Sequence, residues 1–145
     1  MNPLNTTELP CHMPQMDNNS SELKASNMPE KSNEEFWAYL DRLIERSKII
    51  IEHTRGSQNE DLKDLVYPLD YGYLAGTTSS DGAGIDVWLG ASGEKRAVGI
   101  LCTVDLLKRD SEIKILLGCT EEEMHRVVDF LNRGDLRCFH VHRHE

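Results

Sequence analysis

Long hydrophobic runs are missing from this 145-residue sequence, and no stretch reaches the ~20 apolar residues that a membrane-spanning helix needs. No apolar run lies near the N-terminus either, so residues 1–31 do not read as a signal peptide. Basic residues are scarce, with 16 Lys and Arg against 25 Asp and Glu. We therefore expect no membrane partner, and no nucleic-acid partner, because non-specific nucleic-acid binding needs a basic surface.

Paired cysteines are also missing. The four cysteines stand apart in the sequence, and none forms a Cys-x-x-Cys motif: Cys11, Cys102, Cys119 and Cys138. Because no export signal accompanies them, we expect free thiols and a cytoplasmic location.

Residues 1–31 have little apolar content and no apolar periodicity, and they are rich in Asn, Ser, Pro and Met. Such a segment buries too little surface to offset the entropy lost on ordering. The sequence therefore predicts a disordered tail over residues 1–31 and a single domain over residues 32–145. That domain has about 110 residues, enough for one modest core.

Apolar periodicity predicts two helices. A Ser-x-x-Glu capping box at Ser32 precedes a helix over residues 33–46, and Thr120 with Glu123 begins a second helix. Strands are predicted at "KIIIEH", "GIDVWLG", "RAVGILCTVDLL", "EIKILLG" and "LRCFHVHR". Short turns between strands favour antiparallel pairing, so a small curved sheet or barrel with two helices is expected.

Two aspartates flank a glycine-containing turn in the segment "SSDGAGIDVW". Glycines let the backbone turn tightly enough for Asp81 and Asp86 to face one space, where two like charges repel unless a cation lies between them. Oxygen ligands of this kind suit Mg²⁺, Mn²⁺ or Ca²⁺. The alternative is that Asp81 begins a turn and Asp86 caps a strand.

Further polar residues accompany these aspartates. Tyr71 carries a hydroxyl that donates well to phosphate oxygens, and Asp105 interrupts an apolar strand. Glu112 and Lys114 alternate with isoleucines, so both side chains share one face of a strand. Beside a metal, such a lysine would bind phosphate, whereas alone it would form a weak surface pair.

The segment "YPLDYGYLAGTTSSDGAGIDVW" resembles the central motif of the soluble family I inorganic pyrophosphatases, Tyr-Pro-x-Asn-Tyr-Gly-Tyr-Ile followed by Ser-x-Asp-Gly-Asp-Pro-x-Asp-Val. The resemblance extends to "IIIEHTRGSQN", "VGILCTVD" and "EIKILL", and spans roughly residues 47–131. It implies a mainly β, α+β fold: a small five-stranded OB-type antiparallel barrel with flanking helices.

The resemblance also implies an activity, the Mg²⁺-dependent hydrolysis of pyrophosphate by a metal-activated water, with Mn²⁺ as an alternative metal. The resemblance is also compatible with a homo-oligomeric assembly. Tyr71 and Lys114 would contact phosphate. The implied metal ligands are Asp81, Asp86, Asp105, Glu112 and Glu52.

Three departures weaken the implied activity. Ala83 replaces the family aspartate that activates water, Asp70 replaces an asparagine, and the hairpin with the phosphate-binding arginine is missing. Asp70, next to Tyr71 in the same motif, is a candidate for the missing base or for a further ligand. Two functions therefore stay open: a weakened pyrophosphatase, or a non-catalytic relative that binds metal, phosphate or a protein.

The C-terminal segment "CFHVHRHE" offers a separate site. Cys138, His140, His142 and His144 alternate, so on a strand they share one face and could present zinc ligands. A flat row of this kind rarely completes a tetrahedron, and a terminal strand with an exposed polar face is the simpler interpretation.

Overall fold

Two helices and six strands make up the part of the chain that this computed structural model describes, residues 30–144. In chain order they are α1 Glu30–Glu45, β1 Ile49–His53, β2 Asp70–Leu74, β3 Ile85–Leu89, β4 Ala97–Asp105, β5 Asp110–Leu117, α2 Glu121–Leu131 and β6 Leu136–His142. None of the described helices is long and apolar enough to cross a membrane.

The N-terminal tail predicted over residues 1–31 lies outside the described residues, except that Glu30 and Lys31 belong to α1. The expected capping role of Ser32 is wrong, because the helix begins two residues earlier and Ser32 lies inside it. Cys102, Cys119 and Cys138 are free thiols, as expected, and Cys11 lies outside the described part.

The six strands form one mixed sheet in the order β1-β2-β3-β5-β4-β6. The expected mainly β fold with two helices is confirmed, but the five-stranded antiparallel barrel is not. In the described chain the sheet is open, with β1 and β6 at its edges. The β4–β5 hairpin explains the mixed character, because it places β5, not β4, beside β3, and β3 and β5 run parallel.

Each face of the sheet is covered in part by one helix. On one face, Trp88, Leu101 and Leu116 pack with Val127 of α2. On the other, Leu74, Val87 and Ile115 pack with Trp37 and Ile44 of α1. Side chains alternate between the faces along each strand, so the strand register decides which residues share a side.

Close packing of β1 against β2 requires a glycine at position 72. A Cβ atom built on Gly72 would lie 1.8 Å from the backbone oxygen of Ile50, so any other residue would push the two strands apart. Tyr71 and Tyr73 flank this glycine, and both point to the α2 side of the sheet. Gly72 therefore allows β2, the strand that carries Tyr71, to pair closely with β1.

The start of α2 is bound to the loop after β3 through Glu123. The Oε1 atom accepts from the backbone N–H of Thr120 at 2.9 Å, and Oε2 accepts from that of Ala91 at 2.9 Å. The Thr120 hydroxyl accepts from the N–H of Glu123, so the predicted capping box is confirmed. Burial alone would raise the pKa of Glu123, but these backbone donors outweigh it and lower the pKa.

We expect Glu123→Ala to lower the free energy of unfolding by about 1–3 kcal/mol, because two N–H groups lose their acceptor. Glu122→Ala is the matched control, since it removes only an exposed pair with Arg126. Because the folded pKa of Glu123 is lowered, its contribution is present at neutral pH and is lost as pH falls through that pKa. Denaturant unfolding at about pH 7 and about pH 3 checks this, and equal losses in the two variants would contradict it.

Candidate active site

Three side chains singled out in the sequence meet at the ammonium group of a fourth, Lys114. The Nζ atom of Lys114 donates to Asp86 Oδ2 at 2.6 Å, to Glu112 Oε2 at 3.3 Å and to the Tyr71 hydroxyl at 3.4 Å. Lys114 is buried, and its nitrogen lies 5.6 Å from the centre of the Tyr71 ring. A buried lysine with two carboxylate partners and a phenol is the centre of this site.

Strand register brings these residues together. Trp88 of β3 pairs with Tyr71 of β2 on one side and with Leu116 of β5 on the other. Asp86 and Lys114 each lie two residues before that parallel pair, so both face the same side of the sheet as Tyr71. The parallel pairing of β3 with β5 therefore places the Asp86 carboxylate next to the Lys114 ammonium.

The electrostatics keep Lys114 charged and Tyr71 protonated. Burial alone would lower the pKa of Lys114, but the nearby Tyr71 oxygen and the negative charges of Asp86 and Glu112 outweigh burial and raise it. Burial raises the pKa of the Tyr71 hydroxyl. The pKa of Glu112 is also raised, first by burial and then by a hydrogen bond with Asp81, although Lys114 opposes both.

Asp81 lies in the exposed turn before β3, where it shapes the backbone. Its Oδ1 atom accepts from the N–H of Ala83 at 2.9 Å and from the hydroxyl of Ser79 at 3.1 Å. Gly82 has φ of 82°, a conformation that only glycine adopts easily. The N–H of Ala83 is the main cause of a lowered Asp81 pKa. Asp81 thus begins a turn and also reaches Glu112.

Asp105 lies at the end of β4, on the same face as the Lys114 cluster. Its Oδ1 atom accepts from the backbone N–H groups of Leu107 at 2.9 Å and Lys108 at 3.0 Å, which closes the β4–β5 turn. Asp110 lies directly opposite Asp105 in the register. The turn therefore gathers two carboxylates and the Lys108 side chain at one rim of the site.

A cavity of about 290 Å³ opens beside this cluster. Sequence reasoning named four of its lining residues, and the structure adds eight more. The lining comprises Tyr71, Asp105, Glu112 and Lys114 together with Asn59, Tyr67, Thr103, Lys108, Asp110, Phe130, Leu131 and Leu136. Asp110 was within reach of sequence reasoning, since it faces Asp105 across a predicted hairpin. Phe130 and Leu136 come from α2 and β6, and no local pattern links them to the motif.

Four of the eight proposed site residues do not line this cavity: Asp81, Asp86, Asp70 and Glu52. Asp86 still contacts the lining residue Lys114, whereas Asp70 and Glu52 lie apart from the site. The pleat places Asp70 on the face opposite Tyr71, and its Oδ1 atom accepts from the N–H of Arg55 at 2.7 Å. Glu52 is exposed beside an irregularity in the β1–β2 pairing, and neither residue lines the cavity.

The carboxylates do not form a ready-made metal cage. Among residues 30–144 no three His, Cys, Asp or Glu side chains are placed to hold one ion. Asp86 and Glu112 nevertheless both contact one ammonium, and two carboxylates are what Mg²⁺ commonly takes from a protein when phosphate and water supply its other ligands. The residues fit a cation that arrives with a phosphate ligand better than a resident ion.

A second, larger cavity of about 930 Å³ lies between α1 and β6, where Phe36 and Trp37 meet the residues 139–144. None of the residues implied by the pyrophosphatase resemblance lines it, but His140, His142 and His144 of the C-terminal row do. The C-terminal segment forms the expected strand, but its polar face is only partly exposed. The His140 ring is half-buried, and its centre lies 3.8 Å from that of His142.

Comparison with known proteins gives a limited result. No family model matches the sequence, and no curated protein matches it. Solved structures are similar in part: an inorganic phosphatase from Anaplasma phagocytophilum is 17% identical with a TM-score of 0.48, and the match covers 65% of this chain and 81% of that one. An inorganic pyrophosphatase from Coxiella burnetii is 16% identical with a TM-score of 0.49, over 65% and 82%. Such low values assign neither family nor activity.

We expect Lys114→Met to lower the free energy of unfolding by about 3 kcal/mol at neutral pH, because two carboxylates lose their shared cation. The already raised pKa of Glu112 should rise further. A carboxyl group with a raised folded pKa stabilises at low pH and loses that contribution as pH rises, so the deficit should be larger at about pH 7.5 than at about pH 4.5. Denaturant unfolding with exposed Lys95→Met as control checks this, and a pH-independent deficit would contradict it.

Proposed function

We propose that this domain is a divergent relative of the soluble inorganic pyrophosphatases. In this proposal the cavity beside Lys114 binds pyrophosphate together with Mg²⁺ and hydrolyses it slowly to two phosphates. The observation that carries the proposal is the buried Lys114 ammonium, held by Asp86, Glu112 and Tyr71 beside a cavity with further carboxylates. The order of these residues along the chain supports it, since it follows the order in the resembled motif.

The charge balance of the cavity supports a role for a divalent cation. Three carboxylates line the cavity, from Asp105, Asp110 and Glu112, against two ammonium groups, from Lys108 and Lys114. Pyrophosphate alone would meet a net negative surface and be repelled. A phosphate compound that carries its own Mg²⁺ would be attracted, because the cation can take the carboxylates as ligands.

Each side chain then has a task that follows from its environment. Lys114 stays charged and serves as a point charge for a phosphate oxygen. Tyr71 keeps its proton and donates a hydrogen bond to a second oxygen. Asp86 and Glu112 are the carboxylates closest to that ammonium. Bound Mg²⁺ would lower the pKa of the attacking water and neutralise the phosphoryl oxygens.

Slow turnover follows from position 83. Ala83 offers a methyl group where the resembled motif has an aspartate, and a methyl group takes no proton from water. Asp70, the expected substitute base, accepts from the Arg55 backbone on the other face of the sheet. Its catalytic role stays a prediction.

A second function is favoured by a specific observation. Lys114 already supplies one positive charge to Asp86 and Glu112, and the described residues contain no three-residue metal cage. A domain that binds a metal–phosphate compound without hydrolysing it fits this arrangement as well. The two functions differ in phosphate release and agree in binding.

We expect purified protein to release phosphate from pyrophosphate only when Mg²⁺ is present, and Asp86→Asn to remove this release. The exposed Asp129→Asn is the matched control and should retain it. Phosphate release and calorimetric binding are measured on the same samples. Binding without release would support the non-catalytic function, and the absence of both would refute the site.

We expect Ala83→Asp to raise the rate of Mg²⁺-dependent pyrophosphate hydrolysis by about 10²-fold, the lower end of the effect of a well-placed general base. The larger effects are not expected, because the basic hairpin of the resembled family is missing. Initial rates of phosphate release check this, with Asp70→Asn measured alongside. If Asp70 is the base, Asp70→Asn abolishes hydrolysis and Ala83→Asp lowers it, and that result would overturn the role given to position 83.

A further inference from the structure

The cavity beside Lys114 has two unlike walls. One wall carries charges and hydroxyls, from Lys108, Lys114 and the acidic residues already described. The other wall is aromatic and aliphatic, and is formed by Tyr67, Phe130, Leu131 and Leu136. Inorganic pyrophosphate has hydrated oxygen atoms at its whole periphery and gains nothing from an apolar wall.

The apolar wall is held in place by ring contacts. The Phe130 ring centre lies 5.1 Å from that of Tyr67 and 5.4 Å from that of Trp88, with the Trp88 contact edge to face. Tyr67 in turn stacks on His53 at 4.4 Å with nearly parallel planes. Phe130 and Leu136 remain partly exposed beside the cavity, so a ligand gains contact area there without rearranging the core.

A polar group at the same side of the cavity has a fixed orientation. The Oδ1 atom of Asn59 accepts from the backbone N–H groups of Asp61 at 2.9 Å and Leu62 at 3.1 Å. Its Nδ2 atom therefore points away from that turn and donates to the Tyr67 hydroxyl at 3.2 Å. An amide has two N–H donors, so Asn59 keeps one for a ligand.

We propose that the cavity takes a small diphosphate monoester, with its diphosphate at Lys114 and Lys108 and its organic group against Phe130 and Leu136. This rests on the proposed function only in placing the diphosphate at Lys114. Ligand sites commonly combine mostly apolar walls with a few placed polar groups, and the volume is near the lower limit of such sites. Contact of the organic group with this apolar wall should make the monoester bind more tightly than inorganic pyrophosphate.

The test compares dissociation constants for three probes in Mg²⁺ buffer: inorganic pyrophosphate, ADP with an aromatic base, and isopentenyl diphosphate with a short aliphatic chain. We expect one monoester to bind about tenfold more tightly than pyrophosphate, the lower end of what small changes in apolar contact produce. A preference for ADP identifies an aromatic ligand, and a preference for isopentenyl diphosphate an aliphatic one. Equal or weaker binding of both monoesters overturns the proposal.

Two variants test whether the apolar wall causes the preference for a monoester over pyrophosphate. Phe130→Ala and Leu136→Ala should each lower the ratio of the pyrophosphate constant to the monoester constant, whereas the exposed Leu107→Ala on the β4–β5 turn should leave that ratio unchanged. The ratio of two constants from one preparation does not depend on the folded fraction, so partial unfolding of Phe130→Ala leaves the test valid. A preference that survives both variants refutes the apolar wall as its source.

The outcomes also separate this proposal from the proposed function. Pyrophosphate hydrolysis without preferential monoester binding refutes only the inference. Monoester binding that depends on Phe130, without binding or hydrolysis of pyrophosphate, refutes only the activity on inorganic pyrophosphate. No binding of any probe refutes both.

Discussion

The site depends on the shared contact of the buried Lys114 ammonium with Asp86 and Glu112. A lysine loses hydration when it is buried, and only closely placed oxygens compensate for that loss. The contact therefore constrains its surroundings: β3 and β5 must lie side by side, and Tyr71 must point to the same face. Removing the cation would leave carboxylates in a half-buried position, so the fold and the site are stabilised by the same charges.

The same contact bears on why no three carboxylate, histidine or cysteine side chains in the described part of the chain are placed to hold one ion. Lys114 supplies part of the neutralising charge that a resident cation would otherwise supply, and the remaining carboxylates leave the cavity slightly negative. A net negative cavity repels an anion that does not bring a cation of its own. Ala83, in the exposed turn before β3, carries no group that could accept a proton. Beside the charged wall, Phe130 and Leu136 add partly exposed apolar surface to the cavity.

Much of the local structure was predictable from the sequence. The Thr120 capping box was expected and is observed, because capping depends on residues three positions apart. The boundaries of α1 were predicted less well, since a good cap at Ser32 does not stop a helix from beginning earlier. The predicted barrel failed for a different reason. Short turns favour antiparallel pairing between consecutive strands. Here β4 does not pair with β3; its hairpin partner β5 does, and β5 runs parallel to β3.

By itself the sequence determined which groups are available and which of them share a strand face. Glu112 and Lys114 point the same way because side chains on a strand alternate with a period of two. Only the tertiary structure decided that Asp86 meets Lys114, that Asp70 lies on the opposite face, and that Phe130 lines the cavity. These contacts join residues far apart in the chain. They depend on strand order and register, which arise from the packing of two whole faces and are not encoded in any short segment.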